Sequence, residues 1–179
     1  DGSVPSDHAV SLVSSLQLPA DSLVRVIGVQ APYTDALAMT WAAMGDAGTN
    51  LETEEEASAR LHREAVARAE ARLLREGLTV EGFLIHGRPG SSIVDEASAM
   101  GADLVVVGSR GHGTIATMVL GSTASEVVDH APCPVLVART EHLGPVAFAD
   151  DGSHSARTAE AVFTEWPLFR DEHVTVLTV

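Results

Sequence analysis

Four residues, Gly108, Gly111, Gly121 and Ser122, have types and spacing that suit anion binding. They follow the apolar run Val105-Val106-Val107 and precede a stretch of helical periodicity. Glycine carries no Cβ, so backbone N–H groups there can approach a negatively charged oxygen closely. A helix N-terminus adds partial positive charge, and Ser122 stands where a hydroxyl would cap it. The chemistry implied is phosphate binding. Residue type alone leaves a second reading open, in which the glycines only make a tight strand-to-helix turn.

The residue inventory removes other chemistries. All 11 basic residues are arginine, so there is no Walker A lysine, Schiff-base lysine or Ser–Lys dyad. Cys133 is the sole cysteine, which excludes an internal disulfide and a cysteine-based zinc cluster and suits a reduced, cytoplasmic setting. Neither a G-x-S-x-G elbow nor an H-E-x-x-H pair occurs. Without lysine or a metal cluster, fast ATP chemistry lacks its usual electrostatic stabilisers, so an enzymatic role reduces to a slow ATPase at most. A formal net charge of −14 opposes binding to nucleic acid or to an anionic membrane, both of which recruit clustered positive charge. No apolar run reaches the roughly 18–20 residues that a spanning helix needs. Residues 1–7 lack the basic and apolar stretches of a signal peptide.

The elements that must position the glycines follow from periodicity. Helical stretches are expected at residues 4–16, 51–76, 91–100, 121–130 and 156–166. Strands are expected at 23–29, 79–85, 104–107, 134–138, 146–149 and 174–179. In the longest helix Leu61, Ala65, Ala69 and Leu73 recur every four residues as an apolar stripe, and Glu52, Glu54, Glu55 and Glu56 suit the positive end of its dipole. Residues 31–50 read as a long loop, in which Met39, Trp41 and Met44 form either an apolar flap, a partner contact or part of the core. The alternation of strand and helix implies a doubly wound, mostly parallel sheet with helices on both faces. In such a sheet the glycine loop sits at the carboxyl edge, where these folds bind ligands.

A repeat runs through the chain. Asp1-Gly2-Ser3 recurs as Asp151-Gly152-Ser153, and Val24, Val26 and Val29 recur as Val174, Val176 and Val179, at an offset of 150 positions without a gap. This implies two related units: residues 1–140, without the strand expected before Asp1, a linker at 141–144, and the strand–helix–strand start of a second unit at 145–179.

The spacing Gly108-x2-Gly111-x9-Gly121-Ser122 resembles the G-x2-G-x9-G-[S/T] pattern of ATP-binding universal stress proteins. The flanking residues Asp103 to Arg110 and Ser125 to Val137, the Asp1-Gly2-Ser3 turn, and Gly87-Arg88-Pro89-Gly90 with Ile93 and Ala97 carry the same resemblance, which covers residues 1–139 and restarts near Pro145. It implies an α/β fold with a five-stranded sheet of the adenine nucleotide alpha hydrolase-like, Rossmann-like kind, and a tandem member of the family. It implies a stress-response regulatory protein that binds ATP, with Mg²⁺ held through the phosphates, and acts through nucleotide-dependent partner binding. By the same resemblance Asp1 contacts the nucleoside and Val29 and Val107 line the adenine pocket. Gly108, Gly111, Gly121, Ser122 and Thr123 hold ribose and phosphates. Val135, Leu136 and Val137 form a dimer contact, between two chains or between the two units of one. A family member that binds no nucleotide and serves purely as a protein-interaction module is the alternative. An ATP-pyrophosphate-splitting ligase would want an S-G-G-x-D-S loop, which neither turn supplies.

Other side chains carry plainer expectations. Arg110 either neutralises phosphate or faces solvent. His112 is expected to be a loop residue rather than a phosphate or metal contact, His86 to follow a strand and face either solvent or the cleft, and His130 to stand at a helix C-terminus where the dipole favours it. Cys133, between Pro132 and Pro134, is expected to be a small buried residue.

Overall fold

A computed structural model of the 179-residue chain describes residues 1–31, 51–111, 120–169 and 172–178. The segments 32–50 and 112–119 lie outside the described residues, and with them Met39, Trp41, Met44 and His112. The elements in order are α1 (Val4–Ser15), β1 (Leu23–Gln30), α2 (Leu51–Arg75), β2 (Thr79–His86), α3 (Pro89–Met100), β3 (Val105–Gly108), α4 (Ser122–His130), β4 (Val135–Ala138), β5 (Val146–Asp150), α5 (His154–Glu165), a 3₁₀ turn (Pro167–Phe169) and β6 (Val174–Thr178).

Local chemistry explains most of the boundaries. Ser3 caps α1, its hydroxyl oxygen accepting from the Ser6 N–H at 3.3 Å, and Pro5 supplies a preset φ in the first turn. α3 starts at Pro89, two residues ahead of the expected Ser91, because proline suits the first helical position. It stops at Gly101, whose φ of 63° is a left-handed cap that disfavours residues with a Cβ. β3 sits one residue later than periodicity implies.

All strand pairs are parallel. β1 pairs with β2 from Leu23↔Thr79 to Gln30↔His86, β3 with β4 from Val105↔Val135 to Gly108↔Ala138, and β5 with β6 from Val146↔Val174 to Asp150↔Thr178. The described strands therefore form three two-stranded sheets in place of the single five-stranded sheet that the resemblance implies. The layered α/β architecture itself is as expected.

Helices cover both faces of the first two sheets, and side-chain alternation shows which face each takes. A Cβ at Gly28 of β1 or Gly82 of β2 would meet Val66 of α2, and one at Gly108 of β3 would meet Pro5 and Ser6 of α1. On the opposite face Arg25 of β1 reaches Glu96 of α3, at 2.6 Å, and Val105 packs with Ala97 of α3 and Val127 of α4. A second cluster joins Ala9 and Leu12 of α1 and its C-cap Leu16 to Ala138 and to Leu168 of the 3₁₀ turn.

The apolar stripe of α2 differs from the expected one. Among its described side chains Ala59, Val66 and Leu73 are buried, Leu73 being the one member shared with the expected stripe, whereas Leu61 is 59% exposed. Repeats of four drift around a helix of 3.6 residues per turn, while steps of seven stay nearly on one line.

Candidate functional site

The site is built where three chain segments meet at the carboxyl edge of β3. The Asp1–Ser3 turn comes first. Asp1 Oδ1 accepts hydrogen bonds from the Ser3 N–H at 3.0 Å and the Ser3 hydroxyl at 2.7 Å. Gly2 holds φ at 73°, and a Cβ there would lie 3.3 Å from both Ala65 Cβ and Arg68 Nη2 of α2. The left-handed turn is thus wedged against α2 at a position that only glycine fits well.

The glycine loop is the second segment. The Gly121 N–H donates to the Ser109 carbonyl at 2.9 Å, which closes the base of the loop, and Ser109 is itself tied to β4 through the Ala138 carbonyl. Gly108 leaves β3 against the start of α1, where a Cβ would lie 2.5 Å from the Pro5 carbonyl oxygen and 2.9 Å from the Ser6 nitrogen. Gly111 faces Asp1, since a Cβ on it would stand 2.8 Å from Asp1 Oδ2. The first and second segments therefore touch, and they touch through residues the sequence had singled out.

The third segment is the start of α4. Gly121 is its N-cap, with no side-chain cap bond. Ser122 is accordingly the first helical residue and not the cap expected from its type. Gly121 already has the extended cap conformation, φ −73° and ψ 159°, and its carbonyl accepts the first helical bond from Ser125. Gly121 is buried, Ser122 exposed and Thr123 half-buried. Free N–H groups in this first turn are available to an anion.

Two arginines stand at the edges. Arg110 Nε is buried with no hydrogen-bond partner among the described residues, and a Cβ on Gly121 would lie 3.2 Å from Arg110 Cα. Arg68 was not expected here. Its sequence signal was weak: it follows the helical face of Ala65 by one turn but sits among other charged residues of a solvated helix. Val29 and Val107, at the ends of β1 and β3, emerge on the same face of their sheets, the one covered by α3 and α4. Both are half-buried.

The remaining residues behave simply. His86 ends β2 and is exposed. His130 closes α4, its Nδ1 2.9 Å from the Glu126 carbonyl. Cys133 is half-buried rather than buried, and desolvation, then the Asp103 charge, pushes its thiol pKa up, away from a reactive thiolate. No group of three His, Cys, Asp or Glu residues among those described is arranged to hold a metal, and no described helix is long and apolar enough to cross a membrane.

A layered α/β protein with a glycine loop at the carboxyl edge of a parallel strand places that loop where folds of this architecture bind ligands. The sequence profile of the universal stress protein family matches residues 1–139. The chain belongs to that family. A universal stress protein of Thermus aquaticus is 42% identical over 86 residues, which are 48% of this chain and 63% of that one. One of Mycolicibacterium smegmatis is 30% identical over 167 residues, 89% of this chain and 54% of that one. The chain thus spans between about half and two-thirds of the length of these relatives. A solved universal stress protein of Archaeoglobus fulgidus superposes with a TM-score of 0.61 at 14% identity, over 99% of this chain and 75% of that one. That likeness carries the fold.

Proposed function

We propose that the chain binds an adenine nucleotide, ATP with Mg²⁺ on its phosphates, at the Gly108–Ser122 edge and acts as a stress-response regulator through nucleotide-dependent partner binding. The observation that supports this most is the meeting of Asp1 with Gly111 beside a loop closed from Gly121 to Ser109. In this reading Asp1 takes the nucleoside, and Val29 and Val107 flank the adenine. Gly108, Gly111, Gly121, Ser122 and Thr123 hold ribose and phosphates, and the buried Arg110 Nε gains an anionic partner. The tandem organisation into units at 1–140 and 145–179, a pairing surface at Val135, Leu136 and Val137, and a cytoplasmic setting belong to the same proposal.

Calorimetric titration of the chain with Mg·ATP, with a check for co-purified nucleotide, tests it. Binding near one per chain, lost in Gly121→Val without loss of fold, is the expected result. An intact fold with no affinity would sink the reading. It would favour the second one, a pure interaction module, which the exposed apolar Val176 and Leu177 of β6 support.

A further inference from the structure

Two helices on one face begin at the carboxyl edge, and they differ in what sits on their first turns. α3 follows β2, α4 follows the glycine loop, and the two pack together through Ile93, Val94, Ala97 and Val127. Each start carries backbone N–H groups that the helix cannot use itself. In α4 these belong to Ser122, Thr123 and Ala124, since the first helical bond runs from the Ser125 N–H to the Gly121 carbonyl at 2.9 Å. In α3 the first helical bond runs from the Ser92 N–H to the Arg88 carbonyl, also at 2.9 Å. Pro89 has no N–H, so the donors left over in its first turn are those of Gly90 and Ser91.

Neither start is compensated from its own first turn. The N-caps Arg88 and Gly121 make no side-chain cap bond, and no acidic residue stands in either first turn. For α3 a carboxylate comes from the neighbouring helix. A Cβ on Gly90 would run into Glu126 of α4, meeting Oε2 and lying 2.5 Å from Cδ and 2.8 Å from Cβ. The Glu126 side chain therefore lies along the first turn of α3, in the place a larger residue at 90 would take. Gly90 is buried and Glu126 half-buried, so water screens this charge only in part. The next residue, Val127, is fully buried with Ala97 and Val105, which fixes how α4 is turned about its axis. Ser122 and Glu126 are four residues apart and so share one side of α4.

The consequence is electrostatic. A helix start attracts anions through its partial positive charge and its free N–H groups. At α3 that attraction is met by the chain's own Glu126. We infer that Glu126 determines where an anion goes at this edge: its carboxylate occupies the start of α3 and leaves the start of α4, at Ser122 and Thr123, to take a phosphate group. This rests on the reading of Gly108–Ser122 as the anion site and adds the residue that keeps the adjacent helix from competing for it.

The test titrates the full chain with inorganic phosphate, without nucleotide, and follows the backbone amides by NMR. In the native chain Ser122 and Thr123 should respond and Gly90 and Ser91 should stay silent. Glu126→Gln keeps the shape and removes the charge. In it Gly90 and Ser91 should gain a saturable response, with phosphate bound there at least about fivefold more tightly than in the native chain. No gain at these two amides in a folded Glu126→Gln chain overturns the inference, and so does a response there in the native chain. Silence of Ser122 and Thr123 in the native chain would sink the phosphate reading of α4, while Glu126→Gln still reports on α3, so the two failures are distinguishable. A second measurement checks the contact itself. By urea unfolding, Gly90→Ala should be less favourable in the native chain than in Glu126→Ala. Equal effects in the two backgrounds would overturn the placement of Glu126 on α3.

Discussion

The turn at Asp1–Ser3 and the turn at Asp151–Ser153 are nearly the same object locally and quite different objects in context. Gly2 has φ 73° and Gly152 φ 72°. Each aspartate Oδ1 accepts from the N–H two residues on, at 3.0 and 2.9 Å. Ser3 and Ser153 each cap a 12-residue helix. Around them the match ends. Ser3 is 6% exposed and Gly2 is wedged against α2, whereas Gly152 has nothing within 4 Å of a Cβ position. β6 has no partner but β5 among the described strands, and Val176 on it is 62% exposed. The three residues D-G-S, whose serine is the cap, thus adopt one conformation in both places. What makes one copy part of a candidate site is the glycine loop and α2 that come to meet it.

Substitutions can break or sharpen this contrast. The largest effect is expected at the glycine loop, which has no counterpart among the described residues after Asp151. Gly108→Val would push a branched side chain into the backbone of Pro5 and Ser6 and should cost about 3 kcal/mol or more by urea unfolding. Gly144→Val, with open space around it, should stay within about 0.5 kcal/mol. Next come the two turns. Gly2→Ala and Gly152→Ala both carry the left-handed penalty of about 1 kcal/mol. Gly2→Ala should exceed its counterpart, since its methyl also crowds Ala65 and Arg68, and equal losses would show that burial around Asp1 adds nothing. The caps follow: Ser3→Ala should lower stability by about 1–2 kcal/mol and Ser153→Ala by about 0.5–1 kcal/mol, compared by thermal unfolding.

The smallest effect is a pH dependence at Asp151. Hydrogen bonds from Ser153, the hydroxyl first and then the backbone N–H, hold its carboxyl pKa below the ordinary value of 3.8. Its stabilising contribution is complete above that ordinary value and fades as pH falls through the lower folded one. Asp151→Asn should therefore flatten the acid limb only slightly, because the group is exposed. A chemical-shift titration of Asp151 that shows an ordinary midpoint would remove the claim.

Much of this was legible because it is local. The repeat at an offset of 150, the glycine spacing and the strand–helix alternation are properties of short stretches, and their elements fall within a few residues of expectation. Cap positions were less legible, since Ser122 has the better capping side chain but Gly121 has the cap backbone, tied by its N–H to Ser109. The buried face of α2 depends on what packs on it, and alanines at 57, 59, 65, 67, 69 and 71 leave several faces equally plausible by composition. Arg68 comes beside Gly2 only through tertiary placement, and no periodicity encodes it.

The bond from Gly121 to Ser109 has a consequence for how this chain tolerates change. It makes a neck: positions 109 and 121 are held at one point of the sheet. A change at either position 109 or position 121 is therefore felt both by β3 and by the start of α4, which the bond holds together.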